Sequence, residues 1–154
     1  MDSDSLQKSK QALHQLAEQQ ATLLAPHHGI GVDIELISDI NIENPTFIER
    51  NFTQREQSYC WRQPNPHASF AGKWCAKEAA IKAVSSRCLQ TPKVWTKGSA
   101  APLIEIEIVI EVSGAPAVVF HGDALDASIK AGVTMVKVSI SHIDAFAIAT
   151  AIAQ

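Results

Sequence analysis

One stretch narrows what this chain can become. Residues 68–86, ASFAGKWCAKEAAIKAVSS, are rich in alanine and uninterrupted by proline, which predicts a long helix. The segments around it alternate with period two instead. GIGVDIELI (29–37), LIEIEIVIEV (103–112), AVVFHG (117–122), TMVKVSIS (134–141) and AFAIATAIA (145–153) each read as strands. Ser113-Gly114-Ala115-Pro116 turns two of them into a hairpin, and residues 123–132 read as a short helix ending at Gly132. Residues 46–62 suggest short helices, with Thr53 and Glu56 forming a capping box. The expectation is an α+β domain in which a small antiparallel sheet packs against one long helix plus shorter helices.

The chain has 154 residues, one domain's worth. No apolar run reaches the ~18 residues of a membrane span, so no membrane role is expected. The start lacks the pattern of a signal peptide. Residues 1–28 hold leucines at 6, 13, 16, 23 and 24 on a rough helical stripe and end in Ala25-Pro26-His27-His28. They read as a leader or linker helix outside a core domain of residues 29–154. Cys60, Cys75 and Cys88 cannot all pair and match no zinc spacing. Reduced thiols in a cytoplasmic protein are the expectation.

The net charge of −3 is unevenly spread. Residues 50–97 carry nine bases and two acids, and the segments on either side are acidic. Such a block draws anions. It lacks the glycine-rich or aromatic repeats that would favour nucleic acid, so no nucleic acid is expected. A phosphate-rich small molecule and an acidic protein both fit.

Two clusters carry possible chemistry. In the first strand Ile30, Val32, Ile34 and Leu36 share one face, and Gly31, Asp33 and Glu35 the other. Paired carboxylates supply half a Mg²⁺ site, because that ion takes one or two carboxylates plus phosphates and waters. On the long helix Trp74, Glu78 and Lys82 share a face, with Lys73 and Lys77 on a neighbouring stripe. One carboxylate among lysines suits a cation bound with phosphate, although a surface ion pair has the same spacing. Trp74 reads as packing. In 103–112 the even-numbered Ile104 to Val112 are expected to face the core and Glu105, Glu107 and Glu111 to face outward. Ser141-His142 closes the late strand and could meet a phosphate or act as acid or base. No role is read for His27, His28, His67 or His121.

Three blocks, in order, resemble the 4′-phosphopantetheinyl transferases of the holo-acyl-carrier-protein synthase type. They are Gly29-Ile-Gly-Val-Asp-Ile-Glu35, then Phe70-Ala-Gly-Lys-Trp74 running into Lys77-Glu78-Ala79 and Lys82-Ala83, then Val138-Ser-Ile-Ser-His142. Arg50-Asn51-Phe52-Thr53 and the Gly114-Ala115-Pro116 turn also fit. The combination looks most similar to the transferase domain at the end of the fungal type I fatty acid synthase α subunit.

The resemblance implies the fold of that family and Mg²⁺-dependent transfer of 4′-phosphopantetheine from coenzyme A to a serine of apo acyl carrier protein. Adenosine 3′,5′-bisphosphate is the other product. The matching metal ligands are Asp33 and Glu78, with Glu35 a third acid, direct or through water. Lys82 matches a lysine beside the reacting phosphate. Lys73 sits where a base near the 3′-phosphate is expected, Lys77 in the same block is assigned with it to coenzyme binding, and Ser141 and His142 match the coenzyme-contacting strand end. The base that takes the serine proton stays open among Glu35 through a water, a cation-activated water and neutral Lys82. A homotrimer, or a place within a multidomain fatty acid synthase, is the expected assembly. The alternative is a catalytically silent coenzyme A-binding scaffold.

Overall fold

The computed structural model describes residues 28–87 and 103–154. The expected leader helix, Cys88 and most of the 87–102 loop lie outside the described residues.

Five strands of the described residues form one antiparallel sheet: β1 (Gly29–Leu36), β2 (Ile106–Ile110), β3 (Pro116–Phe120), β4 (Val136–Ile143) and β5 (Phe146–Ala153). Their spatial order is β1-β5-β4-β3-β2. Among the described residues, four α-helices accompany them: α1 (Pro45–Asn51), α2 (Gln54–Cys60), α3 (Pro66–Arg87) and α4 (Gly122–Lys130). The α+β expectation holds. Among the described residues no helix is long and apolar enough to cross a membrane.

Helix α3 begins at a proline, which needs no amide partner in a first turn. The Asn65 side chain caps it by accepting from the Ala68 amide at 3.1 Å. It lies across β1, β5 and β4. The surface beneath is built low. In β5, Ala147, Ala149, Ala151 and Ala153 are buried against α3, and in β1 Gly29 and Gly31 take that role. A Cβ on Gly29 would sit 1.9 Å from the Ala83 carbonyl oxygen. The Ser86 hydroxyl replaces a ladder partner there, accepting from the Ile30 amide at 2.8 Å and donating to the Ile30 carbonyl at 3.0 Å.

This inverts the usual burial of alternating strands. Ile30 is 69% exposed, and Val32, Ile34, Ile148 and Ile152 also face away from α3. The small residues, not the large ones, mark the helix side.

The sequence reading of 103–112 needs correction. Leu103–Glu105 is a 3-10 turn and the strand covers Ile106–Ile110. Glu107 is buried rather than outward, and Val112 is fully exposed rather than in the core. Thr53 donates its hydroxyl to Glu107 at 2.8 Å and His121 meets the other oxygen at 3.1 Å. Those partners are remote in sequence, so alternation alone missed them. β4 also runs on through His142 to Ile143, beyond the expected end at 141. The turn that follows holds Asp144 at φ 44°.

Candidate active site

Asp33 is buried on the helix side of β1. Its Oδ1 accepts from Lys82 Nζ at 2.6 Å, and the same ammonium donates to the Val32 carbonyl at 3.1 Å. Its Oδ2 is buried and has no hydrogen-bond partner among the described residues. An orphaned carboxylate oxygen is costly to bury. Glu78 precedes Lys82 by one turn of α3. Burial pushes its carboxyl up, the Asp33 charge adds to that, Lys82 opposes it, and Glu35 adds a further upward push. Burial likewise pushes the Cys75 thiol up to about 12, helped by the neighbouring Asp33 charge. Asp33, Glu35, Glu78 and Lys82 therefore form one electrostatic cluster at the α3–β1 contact, with carboxylates in excess.

Among the described residues no group of three or more His, Cys, Asp or Glu side chains is set to hold a metal ion. The donor set nevertheless fits a hard cation. Asp33 Oδ2 is an unused, negatively charged oxygen, and Glu78 is held close to a like charge. A divalent cation held by Asp33 and Glu78 would relieve both charges.

The other basic residues lie elsewhere. Lys77 is wholly buried. Its ammonium donates to Glu56 at 2.8 Å, to the Leu103 carbonyl at 2.9 Å and to the Asn51 carbonyl. Glu56 in turn accepts from the Ile108 amide at 2.9 Å and the Thr53 amide at 2.8 Å. This closed pair ties α1, α2 and β2 to α3 and presents no charge to a ligand. Lys73 is also buried, with its ammonium on the Ile108 carbonyl and 4.9 Å from the Tyr59 ring centroid. Burial holds it below the usual lysine range, against the opposing pull of Cys60 and Glu56.

Lys73 and His142 line a second feature, a groove of about 400 Å³ shared with Tyr59, Ser69, Gly114 and Pro116. Tyr59 was not legible as a site residue, because nothing in its local sequence marks it. Ser141 and His142 point to opposite sheet faces, as neighbours in a strand must. His142 shares the Asp33 side, and Ser141 the exposed apolar side with Ile148. Trp74 packs on Phe47 with ring centroids 5.3 Å apart, a core role.

Sheet register relates the two features. Glu35 and His142 both pair with Ala147, one from β1 and one from β4. They lie on one face, about 10 Å apart across two strand spacings. The Cys75 thiol donates to the Ala147 carbonyl at 3.4 Å, so α3 runs between them. Lys73 and Glu78 likewise lie about 140° apart around that helix. The groove and the carboxylates of one chain are on opposite flanks of α3.

Comparison with known proteins bears on this arrangement. Residues 29–151 match the family described as the 4′-phosphopantetheinyl transferase superfamily. The fatty acid synthase subunit alpha of Schizosaccharomyces pombe is 46% identical over 149 residues, covering 97% of this chain and 8% of that protein. That of Saccharomyces cerevisiae is 52% identical over 124 residues, covering 80% of this chain and 6% of that protein. The chain thus spans a small fraction of those relatives. Among solved structures, the Chronobacterium ammoniagenes ACPS–CoA complex superposes with a TM-score of 0.70 at 26% identity, covering 82% of this chain and 96% of that one. The Helicobacter pylori holo-[acyl-carrier-protein] synthase in complex with coenzyme A gives 0.63 at 26% identity, covering 81% and 99%.

Proposed function

The chain belongs to the 4′-phosphopantetheinyl transferase superfamily, as a transferase of the holo-acyl-carrier-protein synthase type, and from that premise we propose which reaction its own residues perform. The substrate is coenzyme A and the acceptor is a serine hydroxyl of an apo acyl carrier protein. The serine oxygen bonds to the β-phosphorus of the coenzyme, the pyrophosphate P–O bond breaks, and adenosine 3′,5′-bisphosphate leaves.

The observation that carries this reading is the buried Asp33 Oδ2, without a hydrogen-bond partner among the described residues, beside Glu78 and Lys82. Asp33 and Glu78 are the residues to hold Mg²⁺. That ion, when bound, neutralises the pyrophosphate and the charge growing on the leaving bisphosphate. Lys82 is half exposed, long enough to turn from Asp33 to a phosphate oxygen, and supplies a second positive charge there. Glu35 lies two residues along the same strand face and accepts the serine proton through a water. The groove around Tyr59 and His142 receives the adenosine 3′-phosphate end. There the exposed His142 makes the direct phosphate contact, because the Lys73 ammonium is turned onto Ile108. An acidic carrier surface would meet the exposed Arg50, Arg55 and Arg62.

The two flanks of α3 combine if the exposed apolar sheet face is shared between copies. Ile30, Val32, Ile34, Phe146, Ile148 and Ile152 form a patch of the kind that marks an interface. A homotrimer built on it would bring the groove of one copy to the carboxylates of the next. Similarity to fatty acid synthase alpha subunits supports a place within a multidomain fatty acid synthase, and a cytoplasmic setting goes with that reading.

The test is apo carrier protein, coenzyme A and Mg²⁺, followed by intact mass. A carrier heavier by one phosphopantetheine supports the reading. Coenzyme binding with an unmodified carrier indicates the silent scaffold instead. Mixing Asp33→Ala chains with His142→Ala chains tests the shared site. Activity regained on mixing supports it, and no regain places both features in one chain's site.

A further inference from the structure

The far end of the sheet carries an apolar groove that the transferase reading leaves unused. Helix α4 buries Ala124, Ala127 and Ser128 against the sheet. One helical turn apart on its outer side, Leu125 and Ile129 are 42% and 62% exposed. Val119 of β3 and Met135 just before β4 are exposed beside them. Together they line a groove of about 440 Å³. The sheet opens there, because β3 and β4 are joined through a single residue pair, Ala117 with Lys137.

The chain's own start leaves the sheet close by. Gly29 pairs with Ala153. The next residue, Gln154, donates its amide to the Met135 carbonyl at 2.8 Å and accepts from the Thr134 amide at 2.6 Å. Both partners line the groove. The chain before Gly29 therefore departs about 10 Å, two strand spacings, from Met135. Residues 26–28, when extended, reach about that far.

The segment upstream has the matching chemistry. Leu6, Leu13, Leu16, Leu23 and Leu24 recur at helical spacing, with glutamines at 7, 11, 15, 19 and 20 between them. We propose that residues 5–25 dock as a helix in the groove between α4 and the β3–β4 opening, laying their leucine stripe on Leu125, Ile129, Val119 and Met135. A helix docked there would run parallel to α4, because the segment has to end near Gly29 and α4 runs toward Met135. A second copy is a poorer occupant. Four exposed apolar side chains fall well short of the roughly 20–30 residues a side of a stable interface. A segment of this same chain needs far less surface, because its covalent link at Gly29 makes docking intramolecular. The inference stands apart from the transferase reading.

Hydrogen exchange by mass spectrometry on the full chain tests it, with two double variants, Leu13→Gln/Leu16→Gln and Leu125→Gln/Ile129→Gln. All four side chains are leader or exposed positions, and unchanged exchange in β1 and β5 controls for folding. The leader variant is expected to speed amide exchange across 122–136 about tenfold, as local opening becomes easier. The groove variant is expected to do the same across 5–25. Both effects should be independent of protein concentration. Unchanged exchange at either segment overturns the proposal. Protection of 122–136 that grows with protein concentration also overturns it, because a second copy is then the occupant.

Discussion

Gly31 of β1 lies so close to Ala79 of α3 that a Cβ on the glycine would sit 1.9 Å from the alanine carbonyl oxygen. The contact is with backbone, which cannot rotate away. It also sets how near Asp33, two residues on, comes to Glu78. Gly31→Ala should force the helix off the strand and cost about 3 kcal/mol, at the upper end of overpacking. Thermal unfolding measures the loss. Any folded fraction should need more Mg²⁺ for half-maximal rate. A variant with native melting and native Mg²⁺ response would show that the close contact is not required.

Among the described residues, nothing hydrogen-bonds the buried Asp33 Oδ2. Asp33→Asn keeps the shape and removes the charge. It should leave the melting temperature unchanged or raise it, and abolish the further rise that Mg²⁺ with coenzyme A gives the native chain. Turnover should fall at least a hundredfold, about 2.7 kcal/mol of transition-state stabilisation. Loss of stability without loss of the ligand-induced rise would mean that Asp33 is structural.

Much of this architecture was legible from local pattern. The α3 run, the Thr53–Glu56 capping box and the alternation of 145–153 all depend on neighbours in sequence, and each appears where expected. The face assignments were harder. The small residues of β1 and β5 turned out to face a helix, which only the choice of packing partner decides. Glu107 looked like a solvent-facing acid until Thr53 and His121 arrived from 54 and 14 positions away. The lysines show the same limit. Lys73, Lys77 and Lys82 are similar in sequence context, yet Lys82 stays half exposed on the Asp33 carboxylate, Lys77 is buried on Glu56 and two backbone carbonyls, and Lys73 is buried on the Ile108 carbonyl.

Lys77 and Glu56 are both fully buried, with every visible donor and acceptor committed. Truncating one partner strands the other's charge. Lys77→Met should destabilise by about 3–5 kcal/mol. Adding Glu56→Gln should recover part of that, because no buried charge is left alone. Chemical denaturation of the two single variants and the double variant gives the coupling. Strict additivity of the single effects would show that the pair does not act as a unit.

Glu107 supplies a pH test. Burial pushes its carboxyl up, but the hydrogen bonds from Thr53 and His121 outweigh that and hold it below its ordinary value of 4.5. A carboxyl depressed in the folded state favours folding above its unfolded value. That contribution disappears as pH falls through the folded value, because the unfolded chain then binds the proton more readily. Native stability should therefore decline as pH drops below about 4.5, with Glu107 contributing part of the slope. Thr53→Val removes one hydrogen bond while keeping the side-chain shape, and should flatten that part of the profile. It also removes an α2 cap, which costs about 1 kcal/mol at every pH. Denaturation midpoints measured from pH 3 to pH 7 separate the two effects. A uniform offset between native and variant curves would assign Thr53 to the cap alone, and a gap that narrows as pH falls identifies its hold on Glu107.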